Sequence, residues 1–147
     1  MKFQFRFASI LQLRQQARDD AGMAMGQAIA AIKRIDDQSS EIEAERQTLR
    51  QIDQTRIGNV SVDSLLASGR YDLQLLTELE SLAQTKTQLL QELDRRRQAL
   101  AAAEAEVKRF ERLEAKDRQQ FLAEQAKREQ AEIDDATSRK YALTRRR

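Results

Sequence analysis

The chain has 147 residues with no proline, cysteine, histidine or tryptophan and only four glycines; 40% of it is hydrophobic, 34% charged and 5% aromatic. This length predicts one structural unit, and a mixture rich in Ala, Glu, Gln, Leu and Arg is the composition of long helices. Without His or Cys there is no thiolate, no His-assisted nucleophile and no usual zinc ligand set, and the 26 basic residues nearly balance the 24 acidic ones, which argues against wholesale binding to nucleic acid.

The first seven residues alternate Lys2, Gln4 and Arg6 with Phe3, Phe5 and Phe7, a short strand or an anchor. Two fates are open for the rings: folding onto the end of the molecule to cover Phe121 and Leu122, or inserting into a partner, since so apolar a cluster is costly to leave in water. A first helix is expected over residues 9–57. Ser9 and Gln12 have capping-box spacing, and a seam spaced by threes and fours runs Ala17, Ala21, Ala24, Ala28, Ala31, Ile35, Gln38, Ile42, Glu45, Leu49 and Ile52. Gly22 and Gly26 lie inside this stretch at a cost of roughly 0.8–1 kcal/mol each relative to Ala, so it should be the softer part.

Residues 58–70, holding Gly58, Gly69 and the densest Ser/Asn/Gly cluster, predict a connector: Gly58 as a C-terminal cap, Ser61 capping a short helical turn with Val62, Leu65 and Leu66, and Gly69 ending it. A second helix is expected over residues 71–143. Its seam, Leu75, Leu79, Leu82, Lys86, Leu89, Leu93, Arg96, Leu100, Ala103, Val107 and Phe110, is interrupted only by Lys86 and Arg96. Glu92 with Arg96, Glu104 with Lys108, Glu114 with Arg118, Glu124 with Arg128 and Asp135 with Arg139 are acid-to-base i,i+4 pairs in the favourable orientation.

The expected fold is therefore all-α, one unit over 1–147: a long antiparallel two-helix coiled coil with a short helical connector at its tip. Pairing outward from that connector sets the Ala-rich start of the first helix opposite Ala103, Val107, Phe110 and Phe121. The longer second helix overhangs near the termini. A seam broken by Lys86, Arg96 and Glu45 and filled partly with Ala predicts low stability.

Acidic pairs at Asp19–Asp20, Asp36–Asp37 and Asp134–Asp135 read as solvated helix faces, because acid–base catalysis requires a carboxyl held in a desolvated pocket. No enzyme, cofactor or metal site is expected. The basic end, Arg139, Lys140, Arg145, Arg146 and Arg147, has two readings: first, complementing a helix C-terminus before a disordered end, and second, holding phosphates or an acidic protein surface. Around the connector, Leu49, Ile52, Ile57, Leu65, Leu66, Tyr71, Leu73, Leu75, Leu76, Leu79 and Leu82 crowd more apolar area than a two-helix seam buries, which predicts a partner surface. No apolar run reaches the roughly 18–20 residues of a membrane span and the N-terminus lacks a signal-peptide core, so a cytoplasmic protein is expected.

Three blocks resemble the flagellar export protein FliJ family of bacterial type III secretion: the opening FQFRFASILQLRQQARDDA, the stretch EVKRFERLEAKDRQQF from Glu106 to Phe121, and QAEIDDATSRKY from Gln130 to Tyr141. The resemblance covers the full length. It implies an antiparallel coiled coil similar to the central stalk of rotary ATP synthases, which binds the hexameric export ATPase at its terminal end, contacts the cytoplasmic domain of the export gate membrane protein, and recycles export chaperones beside the inner membrane at the flagellar basal body. It places ATPase contacts on Phe3, Phe5, Phe7, Leu11, Arg14, Phe110, Leu113, Phe121 and Arg128, and gate contacts on Leu49, Ile52, Leu75, Leu79 and Leu82. Nucleotide would belong to the partner, since the chain has no phosphate-binding glycine loop. The competing readings are a general coiled-coil holdase or adaptor acting through the leucine-rich tip and, last, a weak nucleic-acid binder using the basic tail.

Overall fold

The computed structural model describes residues 1–56, 58 and 61–146. Two long helices form an all-α helical hairpin, α1 (Ala8–Thr55) and α2 (Val62–Arg145). Ile57 and Arg147, singled out above, lie outside the described residues.

Local sequence accounts for the helix ends. α1 opens one residue ahead of Ser9, where the Ala8 N–H donates to Phe5 O at 3.2 Å and the Leu11 N–H to Phe7 O at 2.9 Å. Gly58 adopts φ +115°, the left-handed conformation in which a Cβ is strained, and so turns the chain after α1. Ser61 caps α2: its Oγ accepts the Ser64 N–H at 3.2 Å and Asp63 adds a carboxylate to the first turn.

The connector is shorter than expected. No break falls at Gly69 and no separate helical turn precedes Tyr71; α2 runs continuously from Val62. A single glycine costs a helix only about 1 kcal/mol, and the turns around Gly69 are held by Ser68, which donates to Asp53 Oδ2 at 2.7 Å, and by Asp72, which pairs with Arg46 at 2.8 Å. The shorter turn also shifts the register. The Ala-rich stretch of α1 faces Arg96, whose Nη1 donates to the Ala24 carbonyl at 2.6 Å, whereas Phe110 and Phe121 face the N-terminal phenylalanines.

The chain divides into two compact units, one of Met1–Arg18 with Ala102–Arg147, the other of Asp19–Ala101. In the second, Asp53 pairs with Ser68, Arg46 with Asp72, Asp36 with Lys86 and Ala24 with Arg96, so the helices are antiparallel. In the first, Phe7 meets Phe110, Arg6 meets Asp117 and Phe3 meets Phe121, the same sense.

All eleven residues of the α2 seam, Leu75 to Phe110, are buried or half-buried. In α1, Ala28, Ile35, Ile42 and Leu49 turn inward as expected, but the alternate positions are Ser39, Arg46 and Asp53, one residue beyond the expected Gln38, Glu45 and Ile52, which are exposed. The polar side chains are tolerated because each charge in the seam has a partner across it: Arg46 with Asp72, Asp53 with Ser68, Lys86 with Asp36 at 2.7 Å. The core is thin. Among the described residues the buried apolar side chains are Leu11, Ala28, Leu75, Leu93 and Val107.

Candidate interaction surfaces

In the unit of residues 1–18 and 102–147, the first seven residues form no strand; they lie as a strap along α2. The Phe3 ring sits 5.6 Å from that of Phe121 and Phe7 sits 6.3 Å from Phe110, edge to face, with Phe5 edge-on to Phe7 at 5.8 Å. Arg118 stacks over Phe3 at 5.3 Å and Arg6 over Phe7 at 4.8 Å, while Arg6 reaches Asp117 at 3.4 Å. Aromatic pairs of this kind contribute about 0.5–1.5 kcal/mol each beyond the area they remove from water. The rings therefore fold onto the chain's own helix. Of the two residues that the first of the two fates would cover, Phe121 is met by Phe3 and Leu122 remains exposed.

This packing sorts the terminal residues that the sequence pointed to. Phe5, Phe7 and Phe110 form a ring cluster and Phe3 with Phe121 a ring pair; these five and Leu113 are half-buried, and Leu11 is buried. Arg14 and Arg128 are exposed; Arg128 lines an open depression of about 430 Å³ with Met1, Phe121, Glu124, Glu129 and Glu132. Beside the cluster runs a larger groove, about 650 Å³, floored by Phe7, Ile10, Phe110 and Leu113 and rimmed by Arg109, Arg112 and Lys116. Sequence reasoning missed this rim. The signal was there as three basic residues spaced by three and four, which a helix places on one side.

Beyond Gln125 every described residue of α2 is exposed, through to the basic end at Arg139, Lys140, Arg145 and Arg146. Local pairs support this segment: Gln130 donates to Asp134 at 3.0 Å and Arg139 to Asp135 at 3.0 Å. Of the five expected i,i+4 ion pairs, Glu92–Arg96, Glu114–Arg118 and Asp135–Arg139 are formed.

In the unit of residues 19–101, Leu75 is buried in the seam, Leu49, Leu79 and Leu82 are half-buried, and Ile52 is exposed. The side chains that present apolar area are others: Val62, Leu65, Leu66, Leu73 and Leu76 are all exposed. Leu73 and Leu76 line a groove of about 740 Å³ with Leu79 and Leu82, flanked by Glu43 and Glu80. Asp36 and Lys86, paired with each other, also line it, so its apolar floor is edged by three carboxylates and one ammonium.

Two ionisable groups near the turn are perturbed. The hydrogen bond from Arg46 holds the Asp72 carboxyl below its ordinary range, opposed by partial burial and aided by the charges of Arg46 and Arg50. The Tyr71 hydroxyl donates to Glu45, and that bond, with desolvation and the nearby carboxylates of Glu45 and Glu78, raises the phenol above its ordinary value. Both bonds cross from α1 to α2.

Among the described residues no group of three or more acidic side chains is placed to hold a metal ion, and no helix is long and apolar enough to cross a membrane. The arrangement offers two grooved surfaces: an aromatic-floored, cation-rimmed groove in one unit and a leucine groove with mainly acidic edges in the other. Comparison with curated proteins and with solved structures returns no match. Comparison with protein-family models returns the flagellar FliJ protein, matched over residues 2–146.

Proposed function

The chain belongs to the flagellar FliJ family, a component of flagellar protein export, and from that premise we propose that it is a non-enzymatic central-stalk and coupling protein of the type III export apparatus. In this reading the strap-and-helix unit of residues 1–18 and 102–147 binds the hexameric export ATPase. The leucine surface of residues 62–82 meets the cytoplasmic domain of the export gate, and the protein assists recycling of export chaperones. It works in the cytoplasm, peripheral to the inner membrane at the basal body. The observation that carries the reading is the family match over nearly the whole chain. A helical hairpin supports it, since two long helices supply extended surfaces for partners.

The test is ATP hydrolysis by the export ATPase with and without the purified chain, read together with hexamer formation. Stimulated hydrolysis that is lost on removing residues 1–12 or 122–147, while the remainder stays helical, is the expected result. Undiminished stimulation by both truncations would remove the terminal unit from the ATPase contact.

A second reading has one observation in its favour, the exposure of Leu65, Leu66, Leu73 and Leu76. A holdase or adaptor acting through this surface would suppress aggregation of unfolded substrates with no ATPase present, and Leu73→Glu with Leu76→Glu would abolish that effect.

A further inference from the structure

The strap changes what a partner of the terminal unit can touch. The phenylalanines are engaged with each other and with α2, so the face left to a partner is the groove beside them, where Ile10 is exposed and Phe7, Phe110 and Leu113 form the floor. Three cations rim that groove, and no carboxylate is among the residues that line it. Arg109 makes one loose pair with Glu106 at 3.8 Å and its side chain stays 76% exposed. Arg112 and Lys116 have no ion-pair partner among the described residues.

We propose that this groove is the docking site for an acidic amphipathic segment of the export ATPase, one in which carboxylates flank an apolar side chain. The inference rests on the reading that the terminal unit meets the ATPase, and goes beyond it by naming the contact face and the chemistry of its occupant. Charge complementarity selects the acidic flanks: carboxylates placed opposite Arg109, Arg112 and Lys116 speed encounter and disfavour basic competitors. The apolar floor selects the side chain between them, because a purely charged segment would leave Phe110, Leu113 and Ile10 in contact with water. A slot of about 650 Å³ accommodates a few side chains of such a segment. An anionic lipid surface fits less well. It favours a broad cationic face, and here three cations border a concave apolar slot in a chain whose net charge is only +2.

The experiment measures affinity of the full chain for the purified export ATPase across a salt series. It compares the wild type with the triple reversal Arg109→Glu, Arg112→Glu, Lys116→Glu, and with a neutral triple in which the same three become Gln. Circular dichroism controls for helicity. The wild type should weaken as salt rises; the reversal should lose at least about tenfold in affinity at low salt, and the neutral triple should bind with a flatter salt dependence. If the wild type binds and both triples bind equally well with the same salt slope, the groove is not the contact and the stalk reading survives without it. If the wild type fails to bind the ATPase at all, both readings fall together. Should wild-type chain bind phosphatidylglycerol vesicles, with that binding lost in the reversal while ATPase affinity is unchanged, the rim belongs to a lipid surface and the proposal is overturned.

Discussion

Gly22 and Gly26, four residues apart on α1 among Ala21, Ala24 and Ala28, have the spacing by which helices sometimes approach closely, and they admit a decisive substitution. If close packing required them, a Cβ at either would collide with α2. The structure makes a different statement: an ideal Cβ built at Gly22 or at Gly26 meets nothing within 4 Å, and both lie in ordinary helix with no positive φ. Replacing each by Ala then removes only the conformational freedom that glycine gives the unfolded chain and supplies a better helix former, about 0.8–1 kcal/mol per site. The double variant should gain about 2 kcal/mol if the two sites add. For a chain of this size each kcal/mol moves the melting temperature by roughly 2–4 °C, so the double variant should melt roughly 4–8 °C higher. Thermal unfolding followed by circular dichroism reads this directly. A lower melting temperature for either single variant would mean that the helices approach more closely at these glycines than the open space around each Cβ position allows.

Further outcomes follow from the thin core and the paired seam. Leu75, 3% exposed, should cost about 2–4 kcal/mol when cut to Ala, whereas Leu73, 64% exposed, should change stability by no more than about 0.5 kcal/mol, a contrast measurable by urea titration. Because the Asp72 carboxyl titrates below its ordinary value in the folded chain, its contribution is present above the carboxylate range and is lost as pH falls through the lowered value; Asp72→Asn should flatten the acid limb of a pH–stability profile. Tyr71 has the opposite sign. Its raised value gives a contribution present below the ordinary phenol range and lost as pH rises through the raised one, so Tyr71→Phe should flatten the alkaline limb. Leu73→Glu with Leu76→Glu should weaken binding to the gate's cytoplasmic domain while helicity stays at the wild-type level, as calorimetric titration and circular dichroism on the same sample would report.

How far the sequence was legible depended on which residues occupied each seam. In α2 the seam is mostly Leu, and every residue from Leu75 to Phe110 in the expected line turns inward. In α1 the spacing leads from Ile42 through Glu45 to the apolar Ile52, whereas Ser39, Arg46 and Asp53 are the residues that turn inward. A periodicity argument assumes that the buried side chain is the apolar one, whereas here Arg46 and Asp53 are satisfied by Asp72 and Ser68 on the other helix. Those partners are invisible until the register is known. The register in turn depended on the turn, and reading Gly69 as a helix end lengthened the connector and misplaced the Ala-rich stretch. Gly58, which does adopt a positive φ, was the glycine whose position carried information. The same limit applied to the surfaces. The aromatic strap stood out as composition, but that it lies on Phe110 and Phe121, leaving Arg109, Arg112 and Lys116 as the open rim, emerges only when the two segments are brought together.

In the proposed stalk the terminal unit, and not the leucine surface near the turn, faces the ATPase. The most direct measurement places a photo-crosslinking residue at Leu13 in one variant and at Leu73 in another, both exposed positions, and identifies what each captures in the presence of the export ATPase and the gate's cytoplasmic domain. ATPase adducts are expected from Leu13 and gate adducts from Leu73. ATPase adducts from Leu73 with none from Leu13 would contradict that placement.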